Sequence, residues 1–431
     1  MKNLFKYIGY SLVAVIIFAS VLELGARLFV PTGSFQYIER CIIEQKMAFK
    51  KKPGTFRIFL FGESTMLGNH LDHSSTIKRW IELYLENLLG KDIAGRVQII
   101  NFGHLEESSN FFRDAFFDTM VYKPDLAVFY SAHNDFIQLD NRRQFLELST
   151  FKSKAGRFFQ RFTRYSAFAS FMQRLALRSK LTHNKSMETA EKGREYDPNT
   201  DLLAPGGNDF KVIEANWQKN IGRIIQAAQK KNIPVVFFEG VAQYRGLEPS
   251  ESRHDPNLSD GLARWDILYD FGQKALALGN VDQALSLFEK AEMIDGQHAL
   301  LLFKMGQVYE QLGQYEKANQ YYKKANDGDY FPSRAPSAAN KFYAQLRNKK
   351  LKGVTIVPAQ EIFEKHSANG IVGDDLITGP IHPTAEGQAL MALEVVRTIY
   401  EKGWFVPKKA WHWDRLKSVE ELKQRLGTDN I

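Results

Sequence analysis

Apolar residues fall into short continuous runs separated by amphipathic stretches. Arg57 to Phe61, Val97 to Phe102, Leu126 to Ser131, Pro234 to Phe238 and Val354 to Val357 each read as a strand. Helical spacing lies between them. Ile213, Trp217, Ile221 and Ile225 recur on one face before the fourth strand, and Leu390, Leu393, Val396 and Ile399 recur after Thr384. Strands without a polar face are buried on both sides. Their alternation with helices predicts an α/β fold, a parallel sheet in a three-layer α/β/α arrangement.

Three stretches break the rhythm. Between Lys6 and Arg27 the only charge is Glu23. Twenty helical residues reach about 30 Å, the thickness of a bilayer core. No small-x-small cleavage pattern follows, so 7–30 is expected to be an uncleaved transmembrane signal anchor. Its short basic start favours an N-terminus inside and a periplasmic or extracytoplasmic bulk, although Lys2 and Lys6 are balanced by Arg27, Arg40 and Lys46. From Phe151 through Met187 the chain carries nine Lys or Arg residues and no acid, with Phe158, Phe159, Phe162, Tyr165, Phe168 and Phe171 near helical spacing. That basic amphipathic helix either packs on the main domain or lies on an anionic membrane surface. Finally, Gly272, Ala284, Phe288 and Ala291 return 34 residues later as Gly306, Ala318, Tyr322 and Ala325. The period and residue types resemble tetratricopeptide repeats, in which small residues let paired helices approach and an aromatic fills the gap. Two repeats are too few for a free-standing solenoid and are expected to lean on the α/β domain, as a packing insert or as a docking surface for a protein partner.

These features divide the chain into an anchor over 7–30, a linker over 31–56, α/β segments over 57–150, 206–261 and 333–405, a basic helical insert over 151–205, a repeat insert over 262–332 and a tail over 406–431. The composition is that of a globular protein, 44% hydrophobic and 25% charged. One cysteine, Cys41, excludes an internal disulfide and a cysteine-based metal cage. The ten histidines show no metal-ligand spacing, and no glycine-rich phosphate loop occurs. No metal or cofactor is expected. The net charge of +8 invites nucleic acid, but no recognition module accompanies it, and no nucleic-acid partner is expected.

The chemistry gathers at strand ends. The first strand runs into Gly62-Glu63-Ser64-Thr65-Met66-Leu67-Gly68, the second ends at Asn101-Phe102-Gly103, the third at Ser131-Ala132-His133-Asn134-Asp135, and Ile381-His382-Pro383-Thr384 precedes the last helix. In an open parallel sheet these ends meet at one crevice. Alone, a Gly-x-Ser turn is equally well explained as a helix N-cap. Together the four segments place a serine, a backbone amide, a carboxamide and an imidazole at one rim.

In order and content these segments resemble the four blocks of the SGNH/GDSL hydrolases, and the repeats resemble a bacterial membrane-anchored subgroup. The resemblance implies Ser64 as nucleophile and His382 as general base. It implies an oxyanion hole from the Ser64 amide, the Gly103 amide and the Asn134 side chain. The implied substrate is an acyl ester, on a lipid or an acetylated polysaccharide, cleaved through an acyl-enzyme. Hydrolysis and transfer to an acceptor hydroxyl share that first half. Glu63 and Ala132 depart from the usual aspartate and glycine, and Glu63 is not expected to act chemically. A larger departure is Gly379, which stands where the family's triad aspartate belongs. Three readings stay open: a backbone carbonyl near Gly379 holds His382, Asp375 or Asp374 supplies the acid, or the site is degenerate and the chain is a tethered scaffold.

Overall fold

The computed structural model describes residues 17–22, 25, 36–48, 50–72, 75–147, 201–258 and 261–426. The chain divides into two compact units, 41–145 with 199–431, and 1–40 with 146–198. In the smaller unit the described stretches are helical at 17–22 and 36–40. Most of the expected anchor, and all of the basic insert up to residue 200, lie outside the described residues. Among the described residues no helix is long and apolar enough to cross a membrane.

The larger unit is built on five strands, β1 (Phe56–Gly62), β2 (Val97–Asn101), β3 (Leu126–Tyr130), β4 (Val235–Phe238) and β5 (Val354–Val357). Their order is β2-β1-β3-β4-β5, and every pair is parallel. All seven β1 residues are buried, as continuous apolar strands require when helices cover both faces. The period-two alternation sorts them. Ile58 and Leu60 join a core with Trp80, Ile81 and Tyr84 of helix Ile77–Leu89 and Val395 and Ile399 of helix Ala385–Lys402. Phe59 and Phe61 face the other way. There Phe61, Phe129 and Phe237 stack across β1, β3 and β4 with centroids 5.0 and 4.9 Å apart. Trp217 of helix Asn208–Lys231 and Tyr343 of helix Ser337–Asn348 close that layer.

Both flanks of the domain are more ordered than a linker and a tail would be. Gln45 brackets Asn101, donating from Nε2 to its carbonyl at 2.8 Å and accepting its amide at 2.9 Å. Beyond residue 405, Trp411 and Leu422 are buried in the core against helix Ile77–Leu89, because the segment carries two tryptophans and an amphipathic final helix, Val419–Leu426.

The repeat insert is two helix pairs, Leu262–Ala277 with Val281–Glu292 and Ala299–Gln311 with Tyr315–Asp327. The positions that recur at 34 residues are where the helices touch. A Cβ on Gly272 would lie 2.4 Å from Phe288 Cε1, and one on Gly306 would lie 2.6 Å from the Tyr322 ring. The pair does lean on the α/β domain: Ala242, Tyr244, Ile371 and Ile381 belong to the repeats' own core. Gly306→Ala gains about 1 kcal/mol of helix propensity. It also forces the Tyr322 ring, anchored at 2.7 Å to Glu310 Oε2, out of contact, an overpacking cost of about 1–3 kcal/mol. The variant is expected to unfold at lower urea concentration than the parent; a higher midpoint would contradict this packing.

Candidate active site

The turn that carries Ser64 starts where β1 stops. A side chain at Gly62 would place its Cβ 2.5 Å from the Tyr130 carbonyl oxygen on β3, so the strand can pass only as glycine. The chain then enters a four-residue helix, Ser64–Leu67. Ser64 is buried at its first turn, where backbone N–H groups have no intrahelical acceptor.

The histidine arrives from the far end of the sequence. Residues Ile377–Thr378 and His382–Pro383 form a small antiparallel pair, with Gly379 at φ +60° in the connecting turn. Thr384 caps the following helix, accepting the Gly387 amide and donating to the Asp375 carbonyl at 2.9 Å. The result is Ser64 Oγ 2.8 Å from His382 Nε2, across 318 positions. Two further bonds brace the contact. Thr65 Oγ1 donates to the Ile381 carbonyl at 3.2 Å. Gln388, buried on the last helix, donates to the Thr65 carbonyl at 2.8 Å and accepts the Ile77 amide at 3.0 Å. Sequence reasoning passed over Gln388; its one signal was a polar residue on an apolar helix face.

The orienting acid is where the structure departs from two of the three readings above. Asp374 accepts from Gln243 Nε2 at 2.7 Å. Asp375 meets Thr384 through its backbone carbonyl. Neither carboxylate touches His382, and no carbonyl near Gly379 does; among the described residues nothing accepts from His382 Nδ1. The neighbour of the ring is another imidazole, His70, edge-on with centroids 5.1 Å apart. Burial, and then the charge of His70, holds His382 below the usual histidine value.

The oxyanion donors also differ from expectation. The Gly103 amide donates to Asn101 Oδ1 at 2.8 Å. Asn101 in turn donates to the Met66 carbonyl at 2.7 Å, so Asn101 and Gly103 buttress the Ser64–Leu67 helix. Asn134 donates one N–H to the Glu107 carbonyl at 3.1 Å; its carboxamide carries a second. Ser64, Asn134 and His382 line one cavity of about 380 Å³.

A buried acid and a buried imidazole position Asn134. Glu63 is fully buried, and its Oε1 accepts the Ala132 and His133 amides at 3.0 and 3.1 Å. Burial, reinforced by Asp135, raises the Glu63 carboxyl well above the usual range. Its other oxygen has no partner among the described residues. His133 accepts the Ala335 amide at Nδ1 (3.0 Å) and therefore donates from Nε2 to Tyr130 Oη (3.0 Å). Burial pushes it down to about 3, a neutral, fixed tautomer. Asp135, pushed up to about 6 by burial, holds the Ser109 amide and hydroxyl at 3.0 and 2.5 Å. Among the described residues no cluster of His, Cys, Asp and Glu could hold a metal ion.

Comparison with known proteins gives a family for one part of the chain. Residues 275–334 match the tetratricopeptide repeat family. No curated protein matches the sequence. Among solved structures, a protein assigned as an acylhydrolase from Bacteroides fragilis shares 11% identity, over 86% of this chain and 99% of that one, with a TM-score of 0.38. A GDSL-like lipase from Bacteroides thetaiotaomicron shares 12%, over 85% and 98%, with a TM-score of 0.35. A catalytic mutant of an acetylxylan esterase from Geobacillus stearothermophilus shares 8%, over 81% and 96%, with a TM-score of 0.33. Residues 275–334 are tetratricopeptide repeats, and the three solved structures named, each covering part of the chain, are an acylhydrolase, a lipase and an esterase.

Proposed function

We propose that the chain is a serine esterase or acyltransferase of the SGNH type, working through a Ser64–His382 dyad. The observation that carries this reading is the 2.8 Å contact between Ser64 Oγ and His382 Nε2, inside a cavity that Asn134 also lines. A serine hydroxyl becomes a nucleophile when an adjacent unprotonated imidazole removes its proton. His382 Nε2 takes that proton as Ser64 Oγ bonds to the acyl carbon. The oxyanion is met by the Ser64 amide and the free N–H of Asn134. The tetrahedral intermediate collapses as His382 returns the proton to the departing alkoxide, leaving an acyl ester on Ser64. Water or an acceptor hydroxyl, deprotonated by the same nitrogen, then releases the acyl group.

Without a carboxylate at Nδ1 the imidazolium is less stabilised than in a triad, and the lowered affinity of His382 for a proton is consistent with that. The base is therefore free at neutral pH but weak. The reading also includes a membrane-tethered protein with its site on the extracytoplasmic side. Its support is the apolar run between Lys6 and Arg27.

A fluorophosphonate probe is expected to label the protein and not Ser64→Ala. His382→Ala should slow ester cleavage by roughly 10²–10⁴, and Asn134→Ala by about 10²–10³. Asp375→Asn should leave the rate unchanged. Equal labelling of Ser64→Ala and wild type would refute the esterase and favour a binding scaffold. The acid limb of kcat/KM reports the free base. It should lie below the ordinary histidine value of about 6.5, because His382 must lose its proton to act and its proton affinity is depressed. His70→Gln removes part of the cause and should move that limb upward; a limb at or above the ordinary value in the wild type would contradict the assignment. Removing residues 1–30 should release the protein from the membrane pellet after carbonate extraction, and a full-length chain already soluble would exclude the tether.

A further inference from the structure

The two chain segments that connect the repeat insert to the α/β domain both reach the cavity. Ser250, before the first repeat helix, lines it, and so do Phe331, Pro332 and Ser333, after the last. Sequence places them 81 residues apart between Ser250 and Phe331. One buried residue joins them. Asp329 accepts the Ser250 and Glu251 amides at 2.8 and 2.9 Å and the Phe331 amide at 2.9 Å. A second clamp lies beside it. Arg334, 1% exposed, donates to the Gln243 carbonyl at 2.9 Å and to the Leu247 carbonyl at 3.1 Å. The Tyr330 amide donates to the Glu251 carbonyl at 2.9 Å.

The incoming segment, 244–255, is also held by the repeats along its length. Arg245 pairs with Glu310 at 2.7 Å and Glu248 with Lys304 at 2.6 Å. Ser252 Oγ accepts the Leu300 amide at 3.0 Å. His254 Nδ1 meets Asp295 Oδ2 at 2.8 Å. Glu310, Lys304 and Leu300 lie on the first helix of the second repeat, so this surface already holds an extended stretch of its own chain.

We infer that the tetratricopeptide pair is a specificity element of the Ser64 site: it binds segment 244–255 as an internal ligand and, through Asp329, sets Ser250 and Phe331–Ser333 into the wall of the cavity that Ser64 and His382 also line. The inference rests on the hydrolase reading above. Four charged or polar contacts with the repeat helices and their connecting turn, and a shared core, fix the segment, whereas the wall itself is an aromatic ring, a proline and two hydroxyls. Such a wall selects by the size and shape of the group it faces, not by its charge. Phe331 touches the substrate space directly; Asp329 acts through it as a positioning residue.

The test compares labelling of Ser64 by two fluorophosphonates, one with an ethyl group and one with a bulky decyl chain, on the full chain. Phe331→Ala and Asp329→Ala should each change the ratio of bulky to small labelling rates by about fivefold or more, the scale of pocket discrimination by shape. Asp329→Asn keeps one acceptor oxygen and should give a ratio between wild type and Asp329→Ala. Should Asp329→Ala fail to fold, Phe331→Ala carries the test alone. A ratio unchanged in Phe331→Ala, with the wild type labelled normally, overturns the wall. A wild type labelled by neither probe overturns the hydrolase reading, and this inference with it.

Discussion

The structure turns on a hydrogen bond between two side chains that the chain separates by 318 positions. An imidazole can accept a serine proton only within hydrogen-bond reach, and neither residue can be brought there by local structure. The sheet does most of the work, because parallel strands present their C-terminal ends at one rim. The final approach is made by side chains. Gln388 ties the nucleophile helix to the helix behind His382, and Thr65 ties the same helix to the residue before it. These bonds are buried, so each is costly to leave unmade.

Around this contact the rim is wired by buried groups that burial biases toward their uncharged forms. Glu63 and His133 are both buried, and burial drives both toward their neutral forms. Glu63 gathers the amides of the turn that presents Asn134, and His133 fastens that turn to the chain leaving the repeats. Glu63 thus positions that turn. The same economy shapes the Ser64–His382 pair: His382 faces His70 in place of a carboxylate, and burial lowers its affinity for a proton.

Much of this was legible in the sequence. Five strands could be found because strands buried on both faces are continuously apolar, and the repeats because Gly306 must face Tyr322 as Gly272 faces Phe288. The four segments that carry Ser64, Gly103, Asn134 and His382 could be found because each ends a strand or starts a helix. What escaped was the pairing of side chains at long range. Asp374 and Asp375 lie near His382 in sequence, yet Asp374 accepts from Gln243 and Asp375 meets Thr384 through its backbone carbonyl. Gly103 sits at the right strand end, but Asn101, two residues earlier, takes its amide. The linker and the tail read as polar connections because Gln45, Trp411 and Leu422 are single anchors without a period. The lodging of 244–255 on the repeats left no trace either, since ion pairs between isolated residues have no pattern to detect.

The most direct measurement is a crystal structure of the protein after reaction with a phosphonate ester. The account predicts phosphorus bonded to Ser64 Oγ, the phosphonyl oxygen within hydrogen-bond distance of the Ser64 amide and Asn134 Nδ2, and His382 Nε2 beside the serine oxygen. An adduct on another residue, or His382 turned away with a different group at the serine, would contradict it.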